Sequence, residues 1–262
     1  RQVEQDIRAA GAVPATMAVI NGTLHVGLED DQLTSLAQTK GVAKLSRADM
    51  AACRATGGTG ATTVAATMIA ARLAGISVFA TGGIGGVHKG AEDSFDISAD
   101  LMELAQTAVT VVAAGAKAIL DVDKTLEVLE TQGVPVIAYG QEAFPAFWSR
   151  GSKLKAPLRM NDPAAIASGH AMRVALGLPG GQLVANPIPV AAEIPAEEMA
   201  PIIATAQADA LRAGITGKAV TPYLLQRIFE LTKGRSLEAN IALVRNNAQL
   251  AAQIALELRK LA

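Results

Sequence analysis

The sequence is poor in cysteine, in aromatic residues and in net charge. Cys53 is the single cysteine in 262 residues. One thiol makes neither an internal disulfide nor a zinc cluster, which points to a reducing compartment. Lys and Arg number 23 against 24 Asp and Glu, so no electrostatic footprint for nucleic acid or anionic lipid is present. Apolar runs such as residues 109–114 fall far short of the roughly 20 residues that span a bilayer. The polar N-terminus holds no signal-peptide core. The expectation is a soluble, cytoplasmic protein.

Half of the chain is hydrophobic although only 3% is aromatic, and alanine alone accounts for 53 residues. That apolar share supports a full core and excludes wholesale disorder. Many small residues let helices pack closely on a sheet. The length suits one large α/β domain or two small ones, and the absence of any linker favours one domain over 1–262. The chain opens without Met, and residues 1–8 read as a helix already under way.

Strand and helix signals alternate. Residues 14–20 and 23–27 flank Asn21-Gly22, a hairpin signal. Helices are expected over 29–38, 61–73, 99–107, 124–132 and 163–176. Strands are expected over 42–45, 76–80, 109–113, 134–138 and 183–185. Residues 144–162, with prolines among basic residues, read as a loop or lid. Beyond Pro195 the chain is nearly all helical, over 196–213, 223–232 and 236–261. This alternation predicts an α/β fold with a mainly parallel central sheet flanked by helices, and a helical C-terminal part.

The densest polar cluster is Thr81–Asp100, TGGIGGVHKGAEDSFDISAD, directly after an apolar strand. Ligands of open α/β sheets sit beyond the carboxyl ends of strands, and glycines there admit backbone N–H groups to an anion. A dinucleotide fingerprint fails because His88 stands where its third glycine belongs. A P-loop fails because Gly90 follows Lys89. Asp96, Ser98 and Asp100 alternate, so an extended segment would present all three on one face, suited to a hard cation or a sugar; a helix start would instead make Asp96 or Ser98 an N-cap. Lys117 follows the strand–turn VTVVAAGA. There it either snorkels to solvent or is desolvated into a neutral amine able to form a Schiff base. Lys44 is a candidate phosphate ligand or an ordinary surface lysine. Asn186, in ANPIP, points into a site or caps its turn. His25, His170 and Cys53 have no evident partners.

Together the runs GAVPAT (11–16), GATTVAATM (60–68), VFATGGIGGVHKGAEDSFDISADL (78–101), VVAAGAK (111–117), ANPIP (185–189) and Asn246-Asn247 resemble the pseudouridine-5′-phosphate glycosidase family. The resemblance implies reversible cleavage of the C–C bond of pseudouridine 5′-phosphate to uracil and ribose 5-phosphate. It makes Lys117 the Schiff-base lysine and Asp96 the residue associated with Mn²⁺. Lys44, Val64, Ser98, Ala99 and Asp100 become substrate-binding positions, and His88 and Asn186 pocket residues. It also implies a homotrimer, with small-molecule partners only. The family's proton-donating glutamate lies on a strand upstream of Arg1. The expectation is therefore a domain lacking that first strand, with little activity from residues 1–262 alone. A Schiff-base aldolase acting on another sugar phosphate, and a sugar-phosphate-binding module without turnover, are the rival readings.

Overall fold

The computed structural model describes residues 1–261. Its first quarter builds a small mixed sheet. Helix α1 (Gln2–Ala9) precedes β1 (Met17–Ile20), β2 (Thr23–Val26), α2 (Asp30–Gln38), β3 (Ala43–Leu45), α3 (Arg47–Ala55) and β4 (Gly60–Thr62). The order across the sheet is β2-β1-β4-β3; β1 runs antiparallel to both neighbours, and β3 is parallel to β4. The Asn21-Gly22 turn forms as expected, with both residues left-handed at φ 50° and 76°. That is the backbone a two-residue hairpin of this twist requires.

Helix α4 (Val64–Leu73) leads into a second sheet of five parallel strands: β5 (Val78–Ala80), β6 (Thr110–Ala113), β7 (Val136–Tyr139), β8 (Leu158–Met160) and β9 (Gln182–Ala185). Their order is β5-β6-β9-β7-β8. Helices α5 (Ala91–Ser94), α6 (Ala99–Gln106), α7 (Val122–Thr131) and α8 (Pro163–Ala175) lie between these strands in the chain. Helices α9 (Ala196–Arg212), α10 (Val220–Leu231) and α11 (Arg235–Leu261) follow. The central strands β6 and β9 are buried along their whole length, as befits a parallel sheet covered on both faces. α11 packs on α8, β5 and β6. Alanines 65, 66, 70, 113, 114, 116 and 185 are fully buried, which puts the small-residue composition to work at the helix–sheet contacts. The expected α/β architecture with a helical C-terminal part is present. Among the described residues no helix is long and apolar enough to cross a membrane.

Three expectations need correction. The helix expected from Ala61 begins at Val64, because residues 60–62 pair with β1 and β3 as strand β4 and the Thr63 hydroxyl caps the helix by accepting from the Ala66 N–H. The stretch 144–162 is no loose lid. Phe144, Phe147 and Trp148 are buried in the main core, and residues 158–160 form edge strand β8. Helix α3 was not anticipated, although Ser46 and Asp49 form the capping box that announces it.

Candidate active site

The turns that leave the carboxyl ends of β5 and β6 run side by side. Ile84 bridges Ala116 in parallel; the Ile84 N–H donates to the Gly115 carbonyl at 3.1 Å, and the Lys117 N–H to the Ile84 carbonyl at 3.1 Å. This pairing carries the lysine to the mouth of the sheet. Its Nζ donates to the Gly83 carbonyl at 3.0 Å. Burial pushes the Lys117 ammonium below the ordinary lysine pKa of 10.5; the Asp100 carboxylate draws it back up, and the positive charge of Lys44 pushes it down further. Half-buried and bonded to a backbone carbonyl, the amine does not snorkel to open solvent.

Asp100 is buried at the start of α6. Its carboxylate accepts from the Gly85 N–H at 2.7 Å and the Ala65 N–H at 2.9 Å. One bond holds the glycine turn, and the other caps the first turn of α4, where a negative charge also meets the positive end of the helix dipole. Gly85 has to be glycine: a Cβ there would sit 2.6 Å from Ser98 Cβ and 2.8 Å from Asp100 Oδ2.

The alternating Asp96, Ser98 and Asp100 do not share a face. Ser98 is the N-cap of α6, its Oγ accepting from the Asp100 N–H at 3.3 Å, so the helix rotates Asp100 inward while Asp96 stays exposed. Residues 96–98 nevertheless pair with the glycine turn: the His88 N–H donates to the Asp96 carbonyl and the Ser98 N–H to the Gly86 carbonyl, both at 3.0 Å. His88 Nδ1 stands 4.0 Å from Asp96 Oδ2. Ala99, the first residue of α6, is half-buried. Among the described residues no group of three His, Cys, Asp or Glu gathers around a metal position. Asp96 and His88 alone would leave a hard divalent ion mostly hydrated.

Lys44 is the middle residue of β3, in register with Ala61 of β4, and is exposed. Val64 is buried as the first residue of α4. Asn186 is buried beyond β9; its Nδ2 donates to Asn247 Oδ1 at 3.1 Å, and the Asn247 Nδ2 donates to the Thr81 carbonyl at 2.8 Å. The neighbouring Asn246 Nδ2 reaches the Pro187 carbonyl at 3.0 Å. The structure thus links Lys44, Asp100 and Lys117 electrostatically, and ties Asn186 to the start of the glycine turn through α11.

The remaining candidates lie elsewhere. His170 is a core histidine, 3.0 Å from Thr110 Oγ1, to which Gln182 Nε2 also donates at 3.1 Å; these are the amino ends of β6 and β9, opposite Lys117. Burial, with Arg173 and Arg72 nearby, keeps its pKa below 6.5. His25 lies in β2 and Cys53 in α3. A cavity of about 560 Å³ between α1, β5 and α11 is lined by neither Lys44 nor Lys117. Two structural partners carried no sequence signal. Buried Glu103 takes a bidentate grip from Arg47, at 2.7 and 3.1 Å, and the Thr125 hydroxyl accepts from the Val87 N–H at 2.9 Å.

Residues 1–257 match the family described as indigoidine synthase A like protein. The chain belongs to this family. Among its relatives are proteins named pseudouridine-5′-phosphate glycosidase. That of Roseobacter denitrificans is 78% identical over 97% of this chain and 82% of its own length, and that of Jannaschia sp. strain CCS1 is 69% identical over 97% and 84%. The family fold is also seen in a prealnumycin C-glycosynthase solved with ribulose 5-phosphate (TM-score 0.93, 39% identity, 99% of this chain and 85% of the other). An indigoidine synthase A-like protein of Thermotoga maritima matches with TM-score 0.91 at 32% identity over 98% and 85%.

Proposed function

We propose that this chain acts on pseudouridine 5′-phosphate and forms its imine through Lys117. The observation that supports this most directly is the desolvated Lys117 amine, held against the Gly83 carbonyl beside the charge of Lys44. Its depressed pKa raises the neutral, nucleophilic fraction at physiological pH. A second positive charge close by is costly without a ligand, and a sugar phosphate supplies both an electrophilic carbon and a compensating anion. The names of the relatives supply the nucleotide, and the ribulose 5-phosphate held by the C-glycosynthase supports a sugar-phosphate site in this fold.

The leaving group is carbon, so the two-carboxylate route of ordinary glycosidases, which protonates a departing oxygen, does not apply. The Lys117 amine bonds to the first carbon of the ribose as that carbon's bond to the ring oxygen breaks; the ring oxygen takes up the proton the amine gives up, and the sugar opens with uracil still attached. When the C–C bond breaks, its electron pair stays with uracil, which takes up a proton at that carbon, and the sugar carbon is left as an iminium of Lys117. Water hydrolyses this to ribose 5-phosphate and restores the amine. Lys44 holds the phosphate; Val64, Ser98, Ala99, Asp100, His88 and Asn186 line the sugar and base. Asp96 would hold a largely hydrated Mn²⁺, which when bound supplies positive charge near the substrate. By the same resemblance the protein is cytoplasmic and works as a homotrimer, which sedimentation checks.

Borohydride trapping of ribose 5-phosphate on Lys117, read by peptide mass spectrometry, tests the imine. Uracil release from pseudouridine 5′-phosphate separates this reading from an aldolase on another sugar phosphate. Trapping at a different lysine sinks the proposal. For Lys44→Ala we expect KM for the phosphorylated substrate to rise about tenfold, the loss of roughly 1.4 kcal/mol of binding. Removing that positive neighbour also lets the Lys117 pKa climb, so the pH midpoint of trapping moves upward. A midpoint that stays put contradicts the pairing of the two lysines.

A further inference from the structure

Phe147 stands at φ 62°, a region that is an outlier for a bulky L residue. Such strain survives only where the surroundings over-determine it. Here they do. Ala146 and Ser149 exchange N–H···O bonds at 3.0 and 3.3 Å, and the Phe147 N–H donates to the Ala114 carbonyl at 3.1 Å. The Trp148 ring meets Phe147 edge-on at 4.9 Å between centroids. Its Nε1 is anchored to α11, donating to Asn240 Oδ1 at 2.8 Å and the Ser236 carbonyl at 3.2 Å.

The buried Phe147 ring lies against Gly83, where a Cβ would come within 2.6 Å of it; Phe144 closes on Gly115 in the same way, at 3.0 Å. These two glycines carry the carbonyls that serve the lysine turn. Gly83 receives the Lys117 Nζ, and Gly115 receives the Ile84 N–H.

We propose that Phe147 is a positioning residue for Lys117: its left-handed backbone seats the ring behind Gly83, fixing the carbonyl that receives the lysine amine and keeping water from the space behind it. A core phenylalanine that only filled volume would gain nothing from this backbone. The catalytic meaning of the inference rests on the Schiff-base reading, whereas its geometry does not. The charged groups facing Lys117 are Asp100 from α6 and Lys44 from β3, and a change at 147 leaves both in place.

Phe147→Gly removes the ring and accepts the backbone angle without strain; Phe147→Leu keeps apolar bulk. Competitive acetylation of the whole chain with acetic anhydride reads the neutral fraction of Lys117 across pH without any substrate, and borohydride trapping with ribose 5-phosphate reads the imine. For Phe147→Gly the labelling midpoint is expected to rise by about one pH unit, a tenfold smaller neutral fraction at pH 7. Trapping falls to match and recovers about one pH unit higher, while KM for ribose 5-phosphate is unchanged. Phe147→Leu falls between. An unchanged midpoint in folded Phe147→Gly overturns the proposal. Should that variant not fold, an unchanged midpoint in Phe147→Leu does the same. A wild-type chain with a depressed labelling midpoint that forms no imine overturns the Schiff-base reading and leaves the positioning role standing.

Discussion

Lys117→Met is expected to abolish borohydride trapping and to lower uracil release by at least about 10³-fold, the scale on which losing a covalent nucleophile acts. Methionine keeps the apolar stem of lysine and lacks only its terminal amine, so the packing around Gly83 survives. The same substitution should make the protein more stable near neutral pH. In the folded chain the lysine pKa lies below 10.5, chiefly because burial disfavours the ammonium. The folded state therefore carries a penalty that is full below the folded pKa. The penalty fades as pH rises through that value toward 10.5, where the folded chain has already lost the proton that the unfolded chain still binds. Melting temperature against pH checks this: the variant melts higher at pH 7, and the gap to wild type closes in alkali. A variant that melts lower at pH 7 contradicts the desolvated ammonium. Lys117→Arg keeps the charge, cannot become neutral at working pH, and should be as inactive without the gain in stability.

That trade between a stable core and a reactive amine was partly legible in the sequence. A lysine after VTVVAAGA stands where a parallel strand delivers its ligand-binding turn, so position followed from pattern. Its protonation did not, because that depends on Asp100 and Lys44, which come from α6 and β3, and on an aromatic strap from residues 144–148. Two prolines and several basic residues make the region containing that strap look like a loop in one dimension. Its buried face appears only once Trp148 reaches α11, 92 residues along the chain from Asn240. The mixed sheet was half visible. Asn-Gly announced its hairpin and the strand expected over 42–45 is β3, while β4, three residues long, is too short to show alternation. Ser98 shows local chemistry prevailing over a strand-like pattern: its hydroxyl starts a helix, and the helix turns Asp100 away from Asp96. The polar pair Asn246-Asn247 meant little on a helix until Asn186 and the Thr81 carbonyl were found opposite Asn247.

Asp100→Asn should separate the two duties of this carboxylate. The aspartate accepts two backbone N–H bonds while buried. An asparagine offers one oxygen and turns its NH₂ group toward the second donor, so one bond is lost and two donors face each other. That costs about 2–4 kcal/mol, or roughly 6–12 °C in melting temperature for a chain near this size. The electrostatic consequence has the opposite sense for the lysine. Without the carboxylate that draws its pKa upward, Lys117 gives up its proton more readily, and the midpoint of acetylation or trapping moves to lower pH. Were proton loss all that Asp100 governs, the variant would form imine faster in mild acid. The geometry predicts otherwise, because Gly85 is released from its anchor and Gly83, two residues upstream, carries the carbonyl that aims the amine. We therefore expect kcat to fall about 10²-fold, the cost of misplacing a reacting group by about 1 Å, while the pH midpoint falls. The two readouts separate charge from placement. A raised midpoint removes Asp100 from the electrostatics of Lys117, and an unchanged melting temperature removes it from the support of α4 and the glycine turn.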